Sequence, residues 1–114
     1  MPINNNLSLD NELINGLQVA AIEVLKSLIA IPSFSKEEDK TAAILIDFFA
    51  ARKIKTERLI NNIWATNLHF DSNKPSLLLN SHHDTVKPNK GYTVDPFHPF
   101  EKEGKLYGLG SNDA

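Results

Sequence analysis

One short apolar run constrains the fold of this chain more than any other feature. Ser76-Leu77-Leu78-Leu79-Asn80 carries three consecutive leucines, and it leads directly into Ser81-His82-His83-Asp84. An uninterrupted apolar run of this length is typical of a β-strand buried on both faces, as in sheets covered by helices. Open α/β sheets place their binding sites at the carboxyl ends of such strands. The sequence therefore predicts a polar site that begins at His82.

Two amphipathic helices are predicted before this strand. Apolar residues recur at helical spacing over 17–28, and the first helix should end by Ile31 because the following proline disfavours helical backbone. Ser35 and Glu38 have the spacing of a capping box, which predicts a second helix from there to about Arg52. The apolar positions are Leu17, Ala21, Val24, Leu25 and Leu28 in the first helix, and Ala42, Leu45, Ile46 and Phe49 in the second.

The other segments predict short strands. Residues 56–60 and 63–70 read as two strands joined by a tight turn at Asn61-Asn62. Residues 100–110 read as a hairpin that turns at Glu103-Gly104. Together these elements predict an α/β fold, with two helices packed on a partial mixed β-sheet.

Composition excludes several classes of protein. The 114 residues include no cysteine, so a disulfide framework, a cysteine zinc site and a thiol nucleophile are all excluded. The net charge of −2 argues against a nucleic-acid partner, and no apolar run approaches the roughly 18 residues of a membrane span. Residues 1–16 contain no Lys or Arg, whereas a secretory leader begins with positive charge. We therefore expect a cytoplasmic protein without nucleic-acid or membrane partners.

The first candidate site is His82-His83-Asp84. Side chains alternate along a strand, so His82 and Asp84 should share one face and His83 should lie on the other. A metal-bound imidazole usually donates its second N–H to a carboxylate, which a His-x-Asp pair can supply. From spacing alone, an ordinary surface His–Asp hydrogen bond is an equal alternative. We expect His83 to be a core or loop histidine, and neither His69 nor His98 is assigned a catalytic role.

The second candidate site is Gly108-Leu109-Gly110-Ser111-Asn112-Asp113. Glycines permit a sharp chain reversal and a close backbone approach, which could deliver Asp113 into a cleft. Taken alone, a glycine-rich turn with a solvated aspartate is the more ordinary interpretation.

Considered together, these segments resemble the zinc-dependent exopeptidase and deacylase family, and most closely its acetylornithine deacetylase branch. The similarity lies in 77–86, in Asp95-Pro96-Phe97, in 104–113 and in Ile31-Pro32-Ser33. It extends from about Val24 to the end of the chain. The family also includes succinyl-diaminopimelate desuccinylases and aminoacylases.

The resemblance implies a role for each candidate residue. His82 would bind one zinc ion, Asp84 would orient and polarise His82, and Asp113 would bridge two metal ions. The family commonly has a cis peptide bond after the bridging aspartate, here Asp113–Ala114. The implied reaction is hydrolysis of the amide bond of a small N-acyl amino acid, with two zinc ions, or cobalt or manganese in their place.

The chain also departs from the family pattern. Ser81 stands where a glycine is common, His83 stands between ligand and orienting residue, and the family's Glu-Glu pair would lie about thirty residues beyond Asp113. Residues 1–114 are therefore expected to be an N-terminal portion of a catalytic domain, without the lid or dimerisation domain. We expect it to be inactive alone and to self-associate through an open sheet edge, its parent being a possible homodimer. The alternative is a non-catalytic binding or assembly module.

Overall fold

The computed structural model describes residues 5–113, and the side chains of residues 10–113. Two helices are followed by two β-hairpins, which confirms an α/β composition. The elements are α1 (Asn5–Ile29), α2 (Asp39–Ala50), β1 (Thr56–Leu59), β2 (Asn62–Ala65), β3 (Phe100–Lys102) and β4 (Lys105–Tyr107). In the described part of the chain, no helix is both long and apolar enough to cross a bilayer.

Over residues 10–29, helix α1 packs on the molecule only towards its C-terminal end. Ile29 is buried, whereas Leu17 on the predicted apolar face is exposed. The helix ends before Pro32, as predicted from the conformational restriction that proline imposes. Near this end, Lys26 Nζ lies 2.6 Å from Glu101 Oε2, so an ion pair joins α1 to β3. The pKa of Lys26 is raised, first because its ammonium group donates to Glu101 and then because it donates to Glu23.

The capping box predicted for α2 is wrong. Ser35 Oγ donates to the Asp84 carboxylate, 49 residues away, instead of to the first turn of the helix. Glu38 occupies the N-cap position without capping through its side chain, and its Oε1 accepts a hydrogen bond from the Lys36 N–H at 2.9 Å. The helix ends at Ala50, two residues before the predicted end.

Both hairpins form where the sequence places them, with shifted details. Leu59 pairs with Asn62, so the β1–β2 turn is Ile60-Asn61, one residue earlier than predicted. Strand β2 ends at Ala65 and does not continue to Phe70. The β3–β4 turn at Glu103-Gly104 is confirmed. Both turn residues have left-handed backbone, with φ of 53° and 71°, as a type I′ hairpin turn requires.

The predicted buried strand at 76–80 is wrong in this structure. Leu77, Leu78 and Leu79 are 82–85% exposed and form no regular strand. A strand needs at least one neighbouring strand to pair with, and among residues 5–113 the nearest pairing is a single parallel bridge between Phe34 and Thr85. The predicted partial mixed sheet is therefore also wrong, because the strands form two separate antiparallel hairpins.

The small core lies between α1, α2 and the C-terminal loop, and it holds that loop in place. Ile29, Ala42 and Leu109 are each less than 5% exposed, and Thr41 and Ser33 are buried beside them. Gly108 lies so close to α1 that a Cβ atom there would be 2.5 Å from Ile29 Cγ2. This contact fixes the start of the segment that carries Asp113.

Candidate metal centre

The structure brings His82, Asp84 and Asp113 together. His82 Nδ1 lies 3.1 Å from Asp84 Oδ1, and His82 Nε2 lies 3.5 Å from Asp113 Oδ1. Two segments that are about thirty residues apart in the sequence thus meet at one imidazole ring. The metal-binding and orienting roles of these side chains stay predictions.

The segment that carries His82 and Asp84 is held against the connection between the two helices. The Thr85 N–H donates to the Ser33 carbonyl at 2.8 Å, and Ser33 Oγ donates to the His83 carbonyl at 2.9 Å. These bonds keep the segment extended, so the side chains of His82 and Asp84 project to one side and His83 projects to the other. The site is therefore built on backbone contacts over 33–34 and 83–85.

Asp113 is delivered by the glycine-containing loop. The Leu109 N–H donates to the Pro96 carbonyl at 2.8 Å, and the buried Leu109 side chain anchors the loop in the core. At Gly110, which has a φ of 84°, a Cβ atom would come within 2.9 Å of Thr85 Cγ2. The loop can therefore pass this close to the Thr85 segment only with glycine at this position.

The Asp84 carboxylate is held through both of its oxygens. Oδ2 accepts from Ser35 Oγ, and Oδ1 accepts from His82 Nδ1. The pKa of Asp84 is lowered, mainly by the Ser35 hydrogen bond and then by the bond from His82. Sequence reasoning missed Ser35 because the same residue also fits a local capping pattern. Since Ser35 bonds to the aspartate and not to the imidazole, it is not arranged as a nucleophile of a serine–histidine–aspartate triad.

The His82 ring is oriented by its Nδ1 atom. Nδ1 donates to both the Asp84 backbone carbonyl and the Asp84 carboxylate, each at 3.1 Å. The pKa of His82 is raised, first by the backbone carbonyl, then by the Asp84 carboxylate, with a further contribution from Asp113. In the neutral ring the proton stays on Nδ1, so the lone pair of Nε2 is directed towards Asp113.

His82 and Asp84 lie on the ridge between two open clefts. One cleft, of about 740 Å³, is bordered by apolar side chains such as Leu28 and Leu45 and by polar ones such as Glu38 and Asn80. The other, of about 660 Å³, is bordered by Ser35, by the ridge itself and by the loop that ends in Asp113. The second cleft contains all three candidate side chains, and it is the one in which a polar ligand would find them.

The His83 ring lies on the opposite side, where it bonds to two other elements. Its Nδ1 is 2.8 Å from Thr41 Oγ1 in α2, and its Nε2 is 3.0 Å from the Asn61 carbonyl in the β1–β2 turn. The two remaining histidines, His69 and His98, are exposed. Sequence reasoning placed His83 on this face, but it could not identify its partners.

The donors at this site fit one divalent cation incompletely. Two ligands that are each about 2.0–2.2 Å from a tetrahedral ion lie roughly 3.3–3.6 Å apart. The 3.5 Å between His82 Nε2 and Asp113 Oδ1 falls in this range and is long for a hydrogen bond. In the described part of the chain, however, no group of three or more His, Asp or Glu side chains is placed so that all of them could bind one metal ion. The predicted cis bond between Asp113 and Ala114 lies outside the described residues.

Comparison with known proteins agrees with the resemblance seen in the sequence. The chain is 38% identical to the acetylornithine deacetylase of Proteus mirabilis and 37% identical to that of Buchnera aphidicola subsp. Schizaphis graminum, over 81% of its length in each case. It is 28% identical to the succinyl-diaminopimelate desuccinylase of Delftia acidovorans, also over 81% of its length. The chain is a homologue of these deacylases.

These homologues are much longer than this chain. The aligned part corresponds to 26% of the Delftia acidovorans protein and 27% of the two acetylornithine deacetylases. The chain thus spans about a quarter of the length of the curated relatives it matches. A scan against models of protein families found no match.

Proposed function

We propose that this chain belongs to a metal-dependent hydrolase that cleaves the amide bond of a small N-acyl amino acid. Two observations support the proposal: homologues that are a deacetylase and a desuccinylase, and a histidine–aspartate pair with the spacing of ligands to one ion. The 3.5 Å separation of His82 Nε2 and Asp113 Oδ1 carries the argument, because neither spacing in the sequence nor homology alone brings those two atoms together.

In this proposal each side chain has one task. His82 would bind zinc through Nε2, and Asp113 would supply a carboxylate oxygen that can be shared with a second ion. Asp84 would keep the His82 proton on Nδ1 and make Nε2 a stronger ligand. Such ions, when bound, acidify a water molecule and stabilise the charge that develops on the amide oxygen. Cobalt and manganese also suit imidazole and carboxylate ligands.

The residues present would form only part of a catalytic centre. A catalytic zinc ion uses three protein ligands and a water molecule, whereas this site joins one imidazole to one carboxylate in binding position. We propose that residues 1–114 form an N-terminal portion of a catalytic domain, and that the other ligands and the general base come from elsewhere in the whole protein. The 114-residue chain alone is expected to show no zinc-dependent amide hydrolysis.

The test is hydrolysis by the complete gene product. N-acetylornithine and N-succinyl-diaminopimelate are offered separately, with zinc present and after chelation. We expect metal-dependent release of the acyl group from one of them. His82→Ala should abolish it, while His98→Ala, which removes another exposed histidine, should leave it unchanged. Hydrolysis that survives both chelation and His82→Ala would contradict the proposal.

A further inference from the structure

We infer that His83 is a positioning residue, whose ring fixes the orientation of His82 and Asp84 by joining their segment to α2 and to the β1–β2 turn. The consequence for metal binding rests on the proposed function, but the positioning itself does not. The His83 ring hydrogen-bonds to Thr41 and Asn61 rather than to the candidate ligand atoms, and it acts from the opposite side of the extended segment.

The hydrogen bonds of His83 determine which ring nitrogen carries the proton. The Asn61 carbonyl can only accept, so Nε2 must donate to it. In the neutral ring Nδ1 then accepts from the Thr41 hydroxyl. The same hydroxyl is also within 3.1 Å of the Glu38 carbonyl, to which it can donate. The Thr41 proton is therefore shared between two acceptors, and the shorter contact, 2.8 Å, is the one to His83 Nδ1.

Both partners of His83 are themselves firmly placed. Thr41 is fully buried in the first turn of α2. Asn61 is held by its side chain, which donates to Glu38 Oε2 at 2.9 Å. The preceding residue, Ile60, has a φ of 56°, a left-handed conformation that β-branched residues rarely adopt. Such a conformation persists only where surrounding contacts hold it, so the turn presents its carbonyl in a defined position.

The anchoring of His83 constrains its two neighbours because the segment is extended. With alternating side chains, a rotation that frees the His83 ring also turns His82 and Asp84 away from the second cleft. The Ser33 hydroxyl, which bonds to the His83 carbonyl, resists the same rotation from the backbone, and the His83 ring adds a side-chain restraint to it. His83 therefore contributes to the register in which His82 meets Asp84 and Asp113.

The test uses the whole chain without metal. Nuclear magnetic resonance of the ring nitrogens should show His83 protonated on Nε2 and His82 hydrogen-bonded at Nδ1. In His83→Leu we expect the His82 signals to move towards those of a free imidazole. We also expect the Thr85 backbone amide to exchange its hydrogen with solvent about tenfold to thirtyfold faster. That factor corresponds to the loss of one or two hydrogen bonds of typical net strength. His83→Gln, which keeps an N–H donor, should change both the His82 signals and the Thr85 exchange rate less than His83→Leu does.

Two variants keep the result interpretable. His98→Leu removes an exposed histidine and should change neither measurement. Thr41→Val removes the hydroxyl that bonds to His83 and to the Glu38 carbonyl at nearly constant volume, and it replaces His83→Leu if that variant unfolds. It should alter the His83 Nδ1 signal. It should also move the His82 signals in the same direction as His83→Leu does, but by less. Unchanged His82 signals in a folded His83→Leu or Thr41→Val variant, or a proton on His83 Nδ1 alone, would overturn the inference.

A Co²⁺ titration then separates this inference from the proposed function. If both hold, His83→Leu weakens Co²⁺ binding about tenfold, the lower end of the cost of losing support around a ligand. If the native chain binds no Co²⁺ through His82, the proposed metal centre fails. The ring and exchange measurements still decide whether His83 positions the segment.

Discussion

Asp84→Asn tests the proposed orienting role of the carboxylate with the smallest change of shape. The substitution keeps one carbonyl oxygen and removes the negative charge that faces His82 Nδ1. Replacing such an outer partner typically weakens metal binding by about 10–100-fold. Here the bond is 3.1 Å, longer than the roughly 2.7–2.9 Å of a strong charge-assisted bond. Moreover, Nδ1 keeps its second acceptor, the backbone carbonyl of residue 84.

We therefore expect the lower end of that range, about tenfold, or about 1.4 kcal/mol. The assay is a calorimetric Zn²⁺ titration of the chain at about pH 8, above the ordinary histidine pKa of about 6.5. At lower pH the comparison would be blurred, because protons compete with zinc for His82 and the raised pKa of that ring strengthens the competition.

Asp47→Asn is the matched control, since it removes the same charge from an exposed position in α2. It should leave the affinity within about twofold, as expected for a distant charge screened by solvent and salt. An equal loss in both variants would show that only net charge matters. An unchanged affinity in Asp84→Asn would refute the orienting role.

Three further predictions concern stability and association. Gly108→Ala should destabilise the chain by about 1–3 kcal/mol in urea unfolding, because its methyl group would overlap Ile29, whereas Gly16→Ala, in open space on α1, should be neutral or stabilising. The pKa of Glu38 is lowered, first by the hydrogen bond from the backbone N–H two residues before it. The ionised Glu38 carboxylate therefore stabilises the folded chain fully above the ordinary pKa of 4.5, and this stabilisation is lost as pH falls through the lowered pKa. Glu38→Gln should make the melting temperature fall less steeply on acidification, because it removes this titrating group. The exposed leucine run should promote self-association visible by light scattering, and Leu78→Lys should reduce it; a native chain that stays monomeric at high concentration would contradict this.

The features that could be predicted from the sequence are those determined by near neighbours. The hairpin turn at Glu103-Gly104 is specified by residues that adopt left-handed backbone, and the end of α1 is specified by Pro32. The alternation of side chains over 82–84 also depends only on local geometry. These local rules were sufficient to place His82 and Asp84 on one face.

The features that could not be predicted depend on distant partners. The run at 77–79 has the composition of a buried strand, but a strand forms only when other strands pair with it, and the described residues supply none. Ser35 matches a capping pattern, but an aspartate 49 residues later is its actual acceptor. The partners of His83 in α2 and in the β1–β2 turn likewise carry no signal in the local sequence.

The central claim is that His82 and Asp113 bind the same divalent cation. A double-mutant cycle measures this directly, using Zn²⁺ titrations of the native chain, His82→Ala, Asp113→Asn and the variant with both substitutions. Two ligands of one ion are coupled, so we expect either single substitution to cost nearly as much affinity as both together. Losses that simply add, or Zn²⁺ binding that neither substitution weakens, would contradict the shared site.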